Sequence, residues 1–296
     1  MSDWQQTLSD QSGKTVLITG ANGDLGAEVA RQLAARGARI VLACRNTTTA
    51  QAVAGTLPGD PVVESLDLSS QQSVRDFADR YTGRIDTLIN NAGIMMVPWS
   101  RTPDGFESTF GTNHLGHFAL TGLLLDRIRE RIVTVSSGAH TMATRKGLSD
   151  PNFHNHRYDR RVAYANSKMA NLLFARELQR RLSAAGSPVL SVAAHPGVVM
   201  TGLYDHTESR LFDSVKFVGN LIAGSVTEGA NPIVLAAAGS AVRGGEFYGP
   251  RYLSRGRRPA TSPSTRLSRD HAEAERLWAY SEEQTGVRYL ETAGLR

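Results

Sequence analysis

Apolar residues follow two alternating rhythms along this chain. Short, largely apolar runs occur at Lys14–Thr19, Arg39–Ala43, Val62–Leu66, Ile85–Ile89, Arg131–Val135 and Val189–Ala194, with a last short one at Glu246–Tyr248. Their length and β-branched content are those of strands. Between them, apolar positions recur at helical spacing over Leu25–Arg36, Ser70–Tyr81, Asp104–Arg129, Val162–Leu182 and Thr227–Ala238. Gly37 stands where the first helix must stop, and Ser69 or Ser70 where the second begins. Strand–helix alternation with nearly continuous apolar strands predicts a parallel sheet covered on both faces. Right-handed crossovers make that sheet doubly wound. The fold expected is therefore α/β, a single Rossmann-type domain of about seven parallel strands with helices on both faces. Residues 1–12 read as a polar extension and 13–296 as the domain, without repeats or a dividing linker. The irregular stretch 202–224 reads as a substrate lid or a plain surface excursion.

Two local patterns carry chemistry. Directly after the first strand comes Gly20-Ala21-Asn22-Gly23-Asp24-Leu25-Gly26, opening the first helix. In that context Gly20 suits a tight turn, Gly23 or its neighbours let backbone approach a pyrophosphate, and Gly26 lets helix and strand pack closely. The second strand ends in Cys44-Arg45 with no carboxylate beside it, so Arg45 can pair with the 2′-phosphate of NADP(H); otherwise it is a surface charge. Further on, Tyr164 and Lys168 stand four residues apart on a helical segment, one turn apart on one face. An ammonium beside a phenol favours the phenolate and lowers a pKa that starts at about 10, which suits a general acid/base.

Composition narrows the class. Hydrophobic residues make up 41% and charged residues 21%, as in an ordinary soluble globular protein. No apolar run approaches a membrane span, and the polar start of the chain lacks a signal peptide's apolar stretch. Cys44 is the only cysteine, so no intramolecular disulfide forms; with the absence of a targeting segment this fits the cytoplasm. The net charge of +5 is concentrated in a basic segment, 251–269, with Arg251, Arg255, Arg257, Arg258, Arg266 and Arg269. It reads as a solvated loop or an anion-attracting rim. Without zinc-finger spacing or an aromatic-interleaved basic helix, nucleic acid is not an expected partner. His154 and His156 lack a third ligand, so no metal is expected.

The glycine loop, Asn90-Asn91-Ala92-Gly93, the Tyr164–Lys168 pair and His195-Pro196-Gly197 occur in the order seen in short-chain dehydrogenases/reductases. The chain resembles that superfamily over about residues 13 to 285. Through ACRN at 43–46, RTPDGFESTFGTNHLGHFALT at 101–121, RIVTVSSGAH at 131–140, AYANSKMANLLFARELQRRL at 163–182 and HPGVVMTGL at 195–203, it is most similar to the retinol dehydrogenase and protochlorophyllide reductase-like branch. The resemblance implies Tyr164 as acid/base and Lys168 as the residue that binds the nicotinamide ribose and lowers the tyrosine pKa. It makes Ser137 the hydrogen-bond donor to the substrate oxygen, and Asn113 the holder of a proton-relay water. Cofactor contacts fall on Gly20, Asn22, Gly23, Asp24, Leu25, Gly26, Arg45, Asp67, Leu68, Asn91, Ala92, Gly93, Pro196, Gly197, Val199 and Thr201. The glycine spacing departs from the common short-chain pattern, with Asp24 in place of the middle glycine. This puts a carboxylate near the pyrophosphate or caps the helix. The insert LSDPNFHNHRYDRR before Tyr164 is expected to loop out at the pocket mouth.

The activity implied is hydride transfer between NADP(H) and a carbonyl or alcohol of a fairly apolar small molecule. Alternatives are reduction of a C=C or C=N bond on the same fold, or a non-catalytic NADP-binding regulatory protein. Met95, Met96, Trp99, Met142, Leu203, Tyr204, Leu211 and Phe212 are candidate pocket residues. A homodimer or homotetramer through the two long helices, near Asn113–Arg129 and Tyr164–Leu182, is the expected assembly.

Overall fold

The computed structural model describes residues 3–197, 224–252 and 255–290. The candidate residues Val199, Thr201, Leu203, Tyr204, Leu211 and Phe212, and all but Gly224 of the expected lid, lie outside the described residues. Among the described residues, one sheet of eight strands runs through the molecule. In chain order these are β1 (Thr15–Thr19), β2 (Arg39–Cys44), β3 (Val62–Ser65), β4 (Ile85–Asn90), β5 (Ile128–Val135), β6 (Leu190–Ala194), β7 (Phe247–Tyr252) and β8 (Arg255–Thr261). Their order across the sheet is β3-β2-β1-β4-β5-β6-β7-β8. All neighbours are parallel except β7 and β8. The strand order reverses between β1 and β4, which opens a crevice at the carboxyl ends of those strands. Register lines those ends up: Thr19 is opposite Ala43, Asn90 opposite Thr134, and Val135 opposite Ala194.

Side-chain alternation splits the core into two layers. Val16, Ile18, Ile40, Leu42, Val133 and Val192 face helices α1 (Asp24–Ala34) and, late in the chain, Val226–Ala238. Leu17, Val41, Leu88 and Ile132 face the opposite way. That side is covered by α3 (Gln71–Arg80), α5 (Gly116–Leu124) and α7 (Arg160–Ala184). Between them in sequence lie α2 (Thr47–Ala54), α4 (Ser108–Phe110) and α6 (Arg145–Ser149). The helix Val226–Ala238 is α8, and α9 spans His271–Thr285. Helix starts follow side-chain capping. Ser70 accepts from Ser73 N–H, Asn46 from Thr49 N–H, and Ser225 with Glu228 forms a reciprocal capping box.

The structure differs from the expectation in four places. The long helix expected over 104–129 is broken: α4 passes into a π turn, Gly111–Leu115, then α5, and β5 begins at Ile128. Charged residues at the start of β5 hid its length. Glu130 pairs with Lys14 at 2.7 Å, and Arg131 donates to the carbonyls of Ala236 and Gly239 at the end of α8. The first part of the basic segment is not a loop: Arg251, Arg255, Arg257 and Arg258 lie on β7 and β8, which pair antiparallel with Pro250 opposite Pro259, while Arg266 and Arg269 lie beyond β8. An edge hairpin tolerates those prolines, which disguised it in the sequence. The insert before α7 is pinned rather than looped out. Asp150 accepts from the backbone of His154 and Asn155 and from His156 Nδ1, while Asn152 binds Glu107 N–H and Tyr280. Finally, the segment 271–285, for which no element was expected, forms α9, which packs across α5 and α7 with Trp278 against Phe118 and Phe174.

Candidate active site

The crevice gathers side chains from five elements. At the end of β1, Gly20 turns with φ 65°, and a Cβ there would meet the backbone of Ala92 at 2.9 Å. At Gly26 a Cβ would lie 2.6 Å from Gly20 O and 2.7 Å from Asn91 Nδ2. Both positions therefore require glycine, whereas Gly23 has room and serves as the N-cap of α1. The N-cap of α1 is Gly23, which has no side chain to cap with, and Asp24 opens the first turn. Asn22 Nδ2 donates to Thr49 Oγ1 at 2.9 Å, tying the glycine loop to the start of α2 beside the exposed Arg45. A helix N-terminus with glycine at its cap, behind an obligatory glycine turn and with a cation at the next strand end, fits a phosphorylated dinucleotide. These same residues would hold its phosphates.

The loop after β4 is clamped on both sides. Asn91 Nδ2 donates to Thr19 O at 2.9 Å, and the N–H groups of Asn91 and Ala92 donate to Thr19 Oγ1 at 2.9 and 3.0 Å. Asn113, inside the π turn, takes the other side. Its Oδ1 accepts from Ile94 N–H at 2.8 Å, and its Nδ2 donates to Ile94 O at 2.9 Å and Ser167 Oγ at 3.0 Å. Both amide protons of Asn113 are thus spent, leaving only acceptor capacity toward a water. Gly93 sits between: a Cβ there would be 3.1 Å from Asn113 Oδ1 and 3.5 Å from Lys168 Nζ. Asp67 is turned onto Ser69, whose N–H and hydroxyl it accepts, and Leu68 packs under Gly116.

Helix α7 supplies the polar face. From Ala163 to Ala175 every side chain is buried, because sheet, π turn and α9 surround this part of the helix. Tyr164 is 8% exposed and lies with its ring centroid 5.6 Å from Lys168 Nζ. The ammonium of Lys168 donates to Val135 O at 3.2 Å, and its burial pushes the pKa down to about 8. Of the serine pair, Ser136 is consumed by a 2.7 Å bond to Lys168 O. Ser137 stands half-exposed at the strand end, its hydroxyl accepting only a long 3.2 Å bond from Ala139 N–H. Beyond β6, Gly197 takes φ 75° and donates its N–H to His195 Nδ1. His195 and His114 are structural: they bond Ser262 and Ser281, and burial lowers their pKa values to about 4 and about 3. Trp99 and Met142 are exposed, whereas Met95 is buried. No His/Cys/Asp/Glu cluster able to hold a metal occurs among the described residues. Among them, too, no helix is long and apolar enough to cross a membrane.

Two residues of this network carry no role in the sequence reading, Thr19 and His117. His117 is buried between the β1 end and the π turn, bonded to Thr19 Oγ1 and to Asn113 O. The signal was present, since a histidine four residues after Asn113 shares its helix face.

The switch-point crevice, the glycine turn and the Tyr–Lys helix together define a dinucleotide-binding α/β oxidoreductase. A family model described as short chain dehydrogenase matches residues 14–150. Retinol dehydrogenase 12 of Homo sapiens is 40% identical over 94% of this chain and 88% of its own length. Polyprenol dehydrogenase of Mus musculus is 38% identical over 95% and 86%. Among solved structures, an uncharacterised protein from Mycobacterium paratuberculosis is 46% identical with a TM-score of 0.82, covering 95% of this chain and 97% of that one. A short chain dehydrogenase from Burkholderia cenocepacia in complex with NADP has the same fold, with a TM-score of 0.63 at 23% identity over 81% and 96% of the two chains. The chain belongs to the short-chain dehydrogenase/reductase family, in the branch that contains the retinol dehydrogenases, and that family works with a nicotinamide cofactor.

Proposed function

We propose that this protein is an NADP(H)-dependent oxidoreductase that interconverts an alcohol and a carbonyl on a fairly apolar small molecule. When bound, the cofactor supplies or accepts the hydride. Ser137 and Tyr164 then present O–H donors to the oxygen on which charge develops, and Tyr164 passes its proton to it. Lys168, buried beside that phenol, favours its ionised form and would donate an N–H to a ribose hydroxyl of the bound cofactor. The observation that carries this reading is the buried ammonium of Lys168 beside Tyr164, facing Gly93 and Asn113 at the crevice. Arg45, exposed at the end of β2 with no carboxylate in Cys44-Arg45-Asn46, supports the 2′-phosphate and hence NADP(H) over NAD(H). Relatives named for retinol and polyprenol, both apolar alcohols, support the substrate class.

The test is Tyr164→Phe. Turnover should fall by about 10²- to 10⁴-fold while NADPH affinity, read by fluorescence titration, changes little. Full turnover in that variant removes the proposed acid/base. Arg45→Ala should weaken NADPH by about tenfold and NADH hardly at all; an unchanged ratio overturns the cofactor preference.

A further inference from the structure

We infer that His117 is a positioning residue for this reaction, locking the main-chain oxygen of Asn113 to the cofactor loop through Thr19. The inference rests on the hydride-transfer reading above.

The partners decide the state of the ring. Thr19 Oγ1 accepts two backbone N–H groups, from Asn91 and Ala92, so both its lone pairs are used. Its proton then has two possible acceptors: His117 Nε2 at 2.8 Å, or Ile89 O at 3.4 Å. The shorter bond goes to the histidine. Nε2 is therefore the bare nitrogen, and the proton sits on Nδ1, which donates to Asn113 O at 3.0 Å. The ring is fully buried, and burial lowers its pKa to about 4, with the nearby Lys168 ammonium acting in the same direction. It stays neutral, in this one tautomer, across the range in which such an enzyme works.

The consequence is a single chain of bonds running from the loop amides of Asn91 and Ala92 through Thr19 Oγ1 and His117 to Asn113 O. Asn113 is clamped a second time through its side chain to Ile94 and Ser167, and Ser167 in turn donates to Tyr164 O at 2.8 Å. The π turn is where this happens: Gly116 N–H reaches back to Gly111 O, widening the helix at Asn113. A carbonyl in a widened turn has looser helical restraint, and His117 supplies the restraint from outside the ladder. Asn113 Oδ1 and Lys168 Nζ border Gly93 together, 3.1 and 3.5 Å from a Cβ placed there, so a shift of the turn at Asn113 would disturb the surroundings of the lysine.

His117→Phe keeps the ring volume and removes both nitrogens. His117→Asn loses the ring but keeps an N–H where Nδ1 stands, donating to Asn113 O. Packing alone ranks Phe above Asn, whereas positioning ranks Asn above Phe. We expect His117→Phe to lower kcat about 10- to 100-fold, with cofactor KM within about threefold and a larger solvent deuterium isotope effect. His117→Asn should recover most of that loss. Independently of turnover, ¹⁵N spectra of the wild-type ring should show protonated Nδ1 and bare Nε2 at neutral pH. An Nε2–H or charged ring, unchanged kcat in folded His117→Phe, or a natively folded His117→Asn that is 100-fold slow would each overturn the role. If His117→Phe fails to fold, the spectra and His117→Asn decide. Full turnover in the His117 variants with a dead Tyr164→Phe refutes this inference alone; an active Tyr164→Phe refutes the hydride-transfer reading beneath it.

Discussion

The two halves of α7 hold buried charge in opposite ways. In the C-terminal half every charge is answered. Arg176 donates to Gly245 O, to Ser268 O and Oγ, and to Ser264 Oγ. Glu177 accepts from Arg180 and from Arg181 at 2.7 Å each. In the N-terminal half the buried ammonium of Lys168 has one carbonyl, Val135 O. Lys168, the charge that borders Gly93 at the crevice, is the one left short of partners and keeps donors for a ligand. Stability is given up at the site and recovered two turns away.

Lys168→Met gives the largest contrast. Turnover should drop about 10²-fold or more, since the cation beside Tyr164 is lost. Yet the ligand-free protein should be on the order of 1 to 3 kcal/mol more stable near pH 7, because a poorly solvated ammonium has gone. That gain should shrink as pH rises. The folded lysine, pushed down to about 8, has lost its proton between pH 8 and 10.5 while the unfolded one retains it, so the parent gains stability there and the variant does not. Melting temperatures of both proteins from pH 7 to 10 measure this; a variant less stable than the parent throughout would erase the contrast.

Arg176→Met should do the reverse, costing about 2 to 4 kcal/mol by denaturant titration with kcat in the folded fraction unchanged. Burial already lowers this arginine's pKa to about 10, but its four neutral acceptors would be left unpaired without it. Glu177→Gln gives the smallest effect, about 1 kcal/mol, since its half-exposed arginine partners are screened by solvent. Burial would raise the Glu177 pKa, but the bonds from Arg180 and Arg181 overcome it and hold the carboxyl below its usual 4.5. The pair's contribution is therefore present above that value and lost as pH falls through the lower folded pKa, and the variant should lack this part of the acid destabilisation.

Much of this was legible in the chain. Gly20 and Gly26, Arg45, Asn91–Gly93 and the Tyr164–Lys168 spacing all stand on elements whose periodicity is local, and each falls at a carboxyl end of the sheet. The misread parts share a cause. β8, the start of β5 and the break at Gly111–Leu115 are set by partners far away in sequence, whether a hairpin mate, the end of α8 or the loop after β4. The Ser136–Ser137 choice was a one-residue question of which hydroxyl the strand turns inward. Only the bond from Ser136 to Lys168 O answers it on geometric grounds.

By itself the sequence determined the alternation of strands and helices, the glycine turn and the one-turn spacing of phenol and ammonium, because side-chain period and backbone sterics act over a few residues. Tertiary structure alone decided that His117 is neutral with its proton on Nδ1, that Lys168 is short of partners, and that α9 covers α5 and α7. Those states follow from burial and from bonds between distant segments, and no local pattern records the dielectric or the partner a group will meet once the chain has closed around it.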